Sequence, residues 1–510
     1  MTETQTDYGL DLFLTLGETR PARALETALR EAIVAGRLRA GHRLPPTRGL
    51  AADLGIARAT VSDVYAQLTA EGWLEARVGS GTWVADSAAT GGRAAADAVV
   101  GAAAGPAADP AQGAARARRP AGRRGLTRMY GGGPDLSRFP RREWLAAARR
   151  AVDSATPAEL DYTEPRGTER LRRELAVYLT RTRGVQADPE LTLVGHGFAS
   201  LLALACRTLA ERGARRIAVE EYGHAEHRDI ARAAGLEVVA LAVDEEGADV
   251  AGGSALSKLG AADAVLLTAA HQYPLGVPLS PLRRRQVVRW ARSTGGTIIE
   301  DDYDGEFRFD RRSIGSLQGM APDQVIYLGT ASKALAPAVG LAWAVVPGRL
   351  LAGLLRQRDL VDRMNDALNQ LTLAEFFADH AYDRHVRRMR TEYRRRRELL
   401  VTELAARVPQ ARVLGVAAGL QAAIGLPPGT DPENVVAHGL RRGLEFETLA
   451  EYAAELDKPH PPAIVLAYGA SPASRARANI ELAVTAIEAA SRRNALRVTP
   501  HGVTPRGVTL

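Results

Sequence analysis

The amine of Lys333 is the group in this sequence whose chemistry most needs an explanation. The 510-residue chain has three lysines, Lys258, Lys333 and Lys458, and otherwise uses arginine for its permanent cations. An arginine guanidinium stays protonated and is a poor nucleophile, so only a lysine can form an imine with an aldehyde. Lys333 follows the apolar run Val325–Leu328, and open α/β sheets bind ligands at such strand ends. Lys333 is therefore the candidate imine-forming residue, and the other two are expected to be solvated surface charges.

Acidic and phenolic residues that could serve an aldehyde cofactor follow the strand-like segment Thr297–Ile299. Pyridoxal 5'-phosphate needs a carboxylate that keeps its pyridine nitrogen protonated, so that the ring can act as an electron sink. Asp301 is the preferred candidate. Glu300 and Asp302 stay open, because a one-residue slip in a strand reverses which side chains face the ligand. Tyr303 could donate a hydrogen bond to the hydroxyl of the ring.

The phosphate of such a cofactor needs free backbone N–H groups, which the start of a helix provides. An apolar helix is predicted over Ala199–Leu209, and His224 could stack on the face of the ring. The predicted phosphate-binding residues are Gly197 and Phe198 at the start of this helix, with the hydroxyl groups of Thr330 and Ser332.

Strands and helices alternate along residues 128–492, and five strand candidates end in polar or small residues. They are Leu191–Val194, Ile217–Val219, Ala264–Leu267, Thr297–Ile299 and Val325–Leu328. Because the carboxyl ends of parallel strands meet at one edge of a sheet, this pattern predicts an α/β domain with a mainly parallel sheet and a cofactor crevice at that edge. Residues 493–510 are predicted to be a disordered tail.

Residues 16–86 show a different pattern, with three helices before a hairpin. Apolar residues repeat at helical spacing over Leu25–Ile33, Thr47 is expected to cap a second helix, and a third helix is predicted over Ala59–Glu71. Such an arrangement is a helix-turn-helix, which binds DNA through its last helix.

A β-hairpin is predicted from Trp73–Val78 and Thr82–Val84, which flank a glycine-rich turn. Helices followed by such a hairpin form a winged helix, whose third helix presents its first residues to base edges. The predicted DNA-binding residues are Arg48, Arg58, Thr60 and Ser62 in the helices and Gly79, Ser80 and Gly81 in the wing. A winged helix that contacts protein is the alternative.

Composition predicts a linker and excludes several other classes of protein and of site. Residues 87–127 are rich in Ala, Gly, Pro and Arg, which predicts a flexible basic linker, either a solvated spacer or a tether that touches phosphate backbone. The single cysteine, Cys206, excludes an intrachain disulfide framework and metal sites built on several thiolates. Neither a membrane span of about 18 apolar residues nor a signal peptide is found, so a cytoplasmic protein with no membrane partner is expected.

Motifs along most of the chain resemble those of a known family. Gly36–Pro45, Ala57–Val61 and Gly79–Thr82 resemble the winged helix of GntR-type regulators, and Tyr162–Gly167, His196–Ala199, His271–Gly276, Ile299–Phe307 and Tyr327–Lys333 resemble fold type I aminotransferases. Together they are similar to the MocR subfamily of GntR-type regulators, over roughly residues 20–490. The resemblance implies a winged helix-turn-helix joined to an α/β pyridoxal-phosphate aminotransferase-like domain with a smaller C-terminal α+β subdomain.

The resemblance also implies a function and a partner. Members of that subfamily are regulators in which pyridoxal phosphate, alone or with an amine or amino-acid effector, alters the binding of operator DNA. It implies a head-to-tail homodimer, in which Tyr162 matches a tyrosine that reaches the phosphate of the neighbouring subunit, and it places His196 and Gln272 in cofactor-binding motifs. The chain is thus expected to be a sensor, not an enzyme.

Three departures from the family pattern bear on the mechanism. Gly340 stands where the family has an arginine that anchors the phosphate, so the cofactor is expected to bind more weakly by roughly tenfold to a hundredfold. His196 replaces the usual serine and either compensates in part or is an ordinary loop residue. The segment Ile464–Gly469 lacks the arginine that clamps a substrate carboxylate. The alternatives are a true aminotransferase with an accessory DNA-binding domain and a regulator whose pocket no longer binds the cofactor.

Overall fold

The structure is a computed structural model that describes residues 21–34, 37–77, 81–85, 126–162, 164–250, 259–309, 314–362 and 366–495. Lys258, Gly79, Ser80 and nearly all of the predicted linker and tail lie outside these residues.

The described part of the N-terminal domain has the predicted order of elements. It contains α1 (Pro21–Val34), α2 (Thr47–Asp53), α3 (Arg58–Ala70), β1 (Leu74–Arg77) and β2 (Gly81–Val84), and the two strands pair antiparallel. Leu29, Val61 and Leu68 are fully buried between the helices. The prediction that Thr47 caps α2 is wrong, because Thr47 is already the first helical residue and Pro46 precedes it without a side-chain hydrogen bond.

The described strands and helices of the larger domain alternate along the chain. Its strands are β3 (Thr127–Arg128), β4 (Thr192–Gly195), β5 (Arg216–Glu220), β6 (Glu237–Leu241), β7 (Val243–Asp244), β8 (Gly247–Ala248), β9 (Ala264–Leu267), β10 (Thr297–Asp301), β11 (Val325–Thr330), β12 (Ala342–Val345), β13 (Arg412–Val413), β14 (Ala422–Gly425), β15 (Leu444–Glu445), β16 (Glu447–Thr448) and β17 (Ala463–Leu466). Its helices are α4 (Arg141–Ser154), α5 (Pro157–Leu160), α6 (Glu169–Arg183), α7 (Phe198–Glu211), α8 (Ala225–Ala233), α9 (Pro281–Thr294), α10 (Gly348–Val361), α11 (Ala367–Ala378), α12 (Ala381–Arg407), α13 (Pro432–Leu440) and α14 (Ala476–Ala495). Short 3-10 helices cover Leu136–Arg138, Pro189–Leu191, Pro337–Val339 and Leu449–Tyr452.

A seven-stranded sheet forms the centre of this domain, in the order β4-β12-β11-β10-β9-β5-β6. Only β12 runs antiparallel to its neighbours, and the other described pairings are parallel. All five predicted strands are present and point the same way, which confirms the expected α/β class with a mainly parallel sheet. Their carboxyl ends therefore share one edge, and helices cover both faces of the sheet.

A smaller C-terminal unit contains the antiparallel sheet β13-β14-β17-β16, packed with α12, α13 and α14. Two predicted boundaries disagree with the structure. Thr127, predicted to be the last residue of the linker, belongs to β3, which pairs with β15 through Thr127 and Leu444. Residues 493–495, predicted to be in the tail, belong to α14, which continues to Ala495.

Within the described ranges, no helix is both long enough and apolar enough to cross a lipid bilayer. Cys206 is buried in α7, and burial raises the pKa of its thiol to about 12.

Candidate functional site

A cavity of about 460 Å³ opens at the carboxyl edge of the large sheet. Its lining includes the last residues of several strands, Glu220 of β5, Asp301 of β10 and Thr330 of β11, with the first turns of α7 and α8. The converging strand ends thus form the crevice that the sequence pattern predicts.

Lys333 lies in this cavity, three residues after the end of β11. Its Nζ donates to the carbonyl oxygen of Gly131 at 3.1 Å. Burial lowers the pKa of Lys333, because a desolvated ammonium is disfavoured, and the nearby carboxylates of Asp304 and Asp301 oppose this only in part. The amine is therefore more often neutral, and so more nucleophilic, than a lysine on the surface.

The three consecutive carboxylates at the end of β10 face in different directions. Asp301 lines the cavity, and its Oδ1 is buried with no hydrogen-bond partner among the described residues. Glu300 points to the other face, where it accepts from the backbone N–H of Leu317 at 2.7 Å, and Asp302 pairs with Arg183 at 2.6 Å. Burial, and then the charge of Asp302, raise the pKa of Asp301 well above its usual range. Of the three, Asp301 is the one available to a ligand.

Aromatic rings form one wall of the cavity. The Tyr303 hydroxyl lies 3.0 Å from His271 Nδ1 and accepts from Gln421 Nε2 at 2.8 Å. His224, expected to stack on a cofactor ring, packs on Tyr273 with ring centroids 4.1 Å apart and planes 19° from parallel. Both His224 and Tyr303 line the cavity, as predicted. A flat ligand would therefore meet a wall of rings there.

Another part of the cavity lining can hold an anion. Phe198 begins α7, and the preceding Gly197 has φ +115°, a conformation that favours glycine. The hydroxyl of Thr330 donates to the Ser332 hydroxyl at 2.9 Å and accepts from the Ser332 backbone N–H at 3.1 Å. A helix start beside two hydroxyls is a suitable site for a phosphate.

Gly197, three other residues expected at the cofactor site, and Gly340 are not among the described lining residues of the cavity. The side chain of His196 is 46% exposed, its Nε2 is 3.7 Å from Asp362, and it is not part of the cavity lining. Gln272 is also outside the lining, and its buried amide donates to the carbonyl oxygen of Tyr222 at 2.9 Å. Tyr162 is 86% exposed. Gly340 has φ +66°, and a Cβ there would meet nothing within 4 Å.

Sequence reasoning missed several lining residues, among them His227 and Glu220. The ring of His227 lies 4.6 Å from that of Phe198, and burial lowers the pKa of His227 to about 3. Glu220 accepts from the backbone N–H of Thr268 at 3.1 Å, and burial raises its pKa to about 7. Two sequence signals were available, because His227 lies one helical turn after His224 and Glu220 ends its strand.

The predicted DNA-reading residues lie together at the start of α3 and on α2. Arg48 and Arg58 are exposed, and Thr60 and Ser62 are half-buried. Neither guanidinium forms an ion pair with any described residue. Gly81 has φ +101°, in keeping with the turn of a wing.

Two protein families match the chain, one for each domain. Residues 21–84 match "Bacterial regulatory proteins, gntR family", and residues 134–445 match "Aminotransferase class I and II". The two matches together cover the winged helix and most of the larger domain.

Two relatives that match most of the chain are named as regulators. The chain is 33% identical to the probable rhizopine catabolism regulatory protein MocR of Rhizobium meliloti over 74% of this chain and 76% of that protein. It is 30% identical to the HTH-type pyridoxine biosynthesis transcriptional regulator PdxR of Corynebacterium glutamicum over 84% and 88% of the two chains.

The larger domain has the fold of solved aminotransferases. It resembles LysN, an α-aminoadipate aminotransferase of Thermus thermophilus, with a TM-score of 0.63 and 21% identity over 72% of this chain and 94% of that one. An archaeal alanine:glyoxylate aminotransferase gives a TM-score of 0.64 and 22% identity over 71% and 91%.

Proposed function

This chain belongs to the MocR subfamily of GntR-type transcriptional regulators, and on that premise we propose that its aminotransferase-like domain binds pyridoxal 5'-phosphate and senses it, or an amine or amino-acid effector. One observation supports the proposal above all. The Nζ of Lys333 and the unpartnered Oδ1 of Asp301 face the same cavity, which also contains a helix start able to hold a phosphate.

The residues of this cavity fit the cofactor group by group. Asp301 would hold the pyridine nitrogen, Lys333 the aldehyde carbon, and the start of α7 with Thr330 and Ser332 the phosphate. Pyridoxal phosphate, when bound, supplies an aldehyde that reacts reversibly with primary amines. An effector amine could therefore compete with Lys333, which is the chemistry that a sensor of amines needs.

The residues around Lys333 prepare its amine for that bond. Burial favours the neutral form of Nζ, and the Gly131 carbonyl oxygen accepts one of its hydrogens and so orients it. Burial also favours the protonated form of Asp301 in the absence of a cationic partner. A protonated pyridine nitrogen beside Asp301 would stabilise the ionised form of its side chain, so the cavity favours a cationic ring at that position.

Sensing is favoured over transamination by the state of Arg228. Lys333 is the one lysine, and Arg228 the one arginine, among the described lining residues. Arg228 donates to the carbonyl oxygens of Gly223 at 3.1 Å, Tyr452 at 3.2 Å and Ala453 at 2.9 Å. Its guanidinium is thus committed to the backbone and is not directed at a substrate carboxylate, which an aminotransferase must hold.

DNA binding and dimer formation complete the proposal. The exposed Arg48 and Arg58 are free to contact phosphates and base edges of an operator. In a head-to-tail homodimer, the exposed Tyr162 would extend toward the phosphate of the neighbouring subunit. Both statements follow from the family and from the exposure of these side chains.

Replacement of Lys333 tests the cofactor half of the proposal. Purified protein incubated with pyridoxal phosphate should gain the visible absorbance of a covalently bound cofactor, and Lys333→Ala should remove it. Lys458→Ala is the matched control, because Lys458 is exposed and pairs with Glu455. Equal absorbance in wild type and Lys333→Ala would refute the lysine assignment, and steady transamination of an amino donor would favour the enzyme hypothesis.

A further inference from the structure

A second cavity, of about 570 Å³, lies between the start of α4 and the first half of α12. Phe139 and Pro140 line it on the α4 side, and Met389 lines it on the α12 side. The described linings of the two cavities have no residue in common, so the cavities are separate. The volume of the second cavity is typical of pockets that bind small molecules.

His385 of α12 is the least exposed polar residue of this second lining, at 2% of its surface. Its Nε2 lies 2.9 Å from the carbonyl oxygen of Ala334, to which it must donate. Burial lowers the pKa of His385 to about 4, so the ring is neutral near pH 7 and its Nδ1 is an acceptor. This Nδ1 is buried and has no hydrogen-bond partner among the described residues. A buried acceptor of this kind calls for a donor.

The imidazole of His385 faces the second cavity. The charges of Arg388 and Glu143 act on it, and both of these side chains line that cavity. The opposite nitrogen of the ring is occupied by Ala334, which follows Lys333 in the chain. A molecule in the second cavity would therefore reach His385 without entering the first cavity, where Lys333 lies.

The rim of the second cavity carries more positive than negative charge. Its lining contains four arginines and two glutamates, which are Arg138, Arg141, Arg142, Arg388, Glu143 and Glu392. Arg138, Arg141 and Arg142 are exposed, and none of them forms an ion pair with a described residue. Guanidinium groups bind phosphate and carboxylate through paired hydrogen bonds. The rim is therefore suited to an anion.

The two glutamates do not cancel this charge, because both already have cationic partners. Glu143 accepts from Arg388 at 3.4 Å. Glu392 accepts from Arg396 at 2.8 Å and from Arg395 at 3.0 Å. The positive end of the α4 dipole adds to the potential of the three unpaired arginines, since α4 has 14 residues and begins at this rim.

Buried contacts hold the α4 side of the second cavity in place. The Asp135 carboxylate accepts from the Ser137 backbone N–H at 3.0 Å and from Arg396 at 2.6 Å. The Asp135 backbone N–H donates to the Tyr393 hydroxyl at 3.0 Å. The segment that leads into α4 is thus tied to α12, and a ligand would meet walls that are already in position.

We propose that the second cavity binds a small phosphate ester that carries a hydroxyl group. Arg141 and Arg142 hold its phosphate, and Nδ1 of His385 accepts from its hydroxyl. The carbon chain of the ester lies against Phe139 and Met389. A doubly charged phosphate gains more from several guanidinium groups than a singly charged carboxylate does. The site goes beyond the proposed function and does not depend on it.

DNA is the other phosphate-bearing molecule that this protein could meet. A duplex is about 20 Å wide, so its backbone would reach the exposed arginines and leave the buried Nδ1 of His385 without a donor. A small molecule can satisfy both, and the observations therefore favour the ester.

Calorimetric titration of the purified full-length protein with three anions tests the site. Glycerol 3-phosphate should bind, and propyl phosphate, which has the same charge and no free hydroxyl, should bind about tenfold more weakly. Equal affinities for the two esters would overturn the role of His385. Inorganic phosphate that binds as tightly as glycerol 3-phosphate would overturn the assignment to an ester, and no binding of any of the three would overturn the site.

Two variants assign the binding to named residues. Arg141→Met should weaken both esters by about tenfold or more, as expected for loss of a charged hydrogen bond. Arg149→Met is the matched control, because Arg149 is an exposed arginine of α4 outside the lining. His385→Phe should lower the affinity for glycerol 3-phosphate to that for propyl phosphate. Thermal melting identifies a variant that fails to fold, and the comparison of the two esters in the wild type needs no variant.

Two further outcomes would overturn the proposal in favour of another site. Binding of glycerol 3-phosphate that is lost in Thr330→Val and kept in Arg141→Met would place the ester in the first cavity. Displacement of glycerol 3-phosphate by a short duplex would assign the arginines of the rim to the DNA backbone. Neither result depends on whether pyridoxal phosphate binds Lys333, so the proposed function is tested separately.

Discussion

The DNA-reading arginines of the winged helix and two buried arginines of the larger domain have opposite environments. Arg48 and Arg58 are exposed and form no ion pair among the described residues. Arg183 and Arg396 are almost fully buried, where they pair with Asp302 and Asp135. Arg48 and Arg58 can therefore bind a ligand, whereas Arg183 and Arg396 already stabilise the fold.

The comparison shows that abundance of arginine does not predict where anions bind. A buried guanidinium needs charged or hydrogen-bonding partners, since an uncompensated buried charge costs several kcal/mol, so most of its donors are already used and few are left for a ligand. Arg396 illustrates this, because it also donates to the carbonyl oxygens of Tyr468, Gly469 and Ser471. Near the cavity, the available polar groups are instead a lysine, hydroxyls and a helix start.

Removal of a buried arginine should have the largest effect. Arg183→Met leaves the Asp302 carboxylate buried with the Tyr327 hydroxyl but without its cationic partner, so the free energy of unfolding should fall by about 3–5 kcal/mol. Arg173→Met is the control on the same helix, because Arg173 is 71% exposed and its one ion pair among the described residues is with Glu169, and it should change stability by less than about 0.5 kcal/mol. Chemical denaturation measures both. Equal losses in the two variants would break the distinction between the arginine classes.

Removal of an exposed arginine should affect DNA binding alone. Arg58→Ala should weaken operator binding by about 1–3 kcal/mol, up to roughly a hundredfold, with unchanged stability and cofactor absorbance. Arg149→Ala, at an exposed position of α4, should leave binding unchanged. Fluorescence anisotropy with operator DNA gives the affinities. Loss of cofactor absorbance together with DNA binding would show that Arg58 has a structural role.

Introduction of an arginine at the cavity should have a smaller effect. A charged hydrogen bond from Gly340→Arg to the phosphate is worth about 1.5–3 kcal/mol, but φ +66° strains an L residue by about 1–2 kcal/mol. The net gain is at most about 2 kcal/mol, so cofactor binding should tighten by at most about thirtyfold. Gly340→Ala carries the strain without the guanidinium and should not tighten binding. Equal dissociation constants for the two variants, measured by absorbance titration, would contradict the alignment of Gly340 with the family arginine.

Sequence patterns predicted the elements that local periodicity determines and missed the features that depend on distant residues. The five parallel strands and the start of α7 were predicted because apolar runs and their polar ends are adjacent in sequence. Strand register decides which of the carboxylates from Glu300 to Asp302 faces the cavity, and a single sequence does not determine that register. The contact of Glu71 with Arg284 joins residues more than two hundred positions apart, and neither residue belongs to a recognised motif.

The smallest effect is a difference in pH dependence between two lysines. Burial lowers the pKa of Lys333, whereas the hydrogen bond to Glu455 raises that of Lys458. A lowered pKa means that the neutral, reactive amine persists to lower pH, so the rate of pyridoxal phosphate capture at Lys333 should level off below the ordinary lysine value of about 10.4. Capture at Lys458 should still be rising at that pH. Reduction of the bound cofactor, followed by mass spectrometry of each peptide, measures both rates. A shared pH profile would mean that burial does not activate Lys333, and the cavity would then bind the cofactor by shape and charge alone.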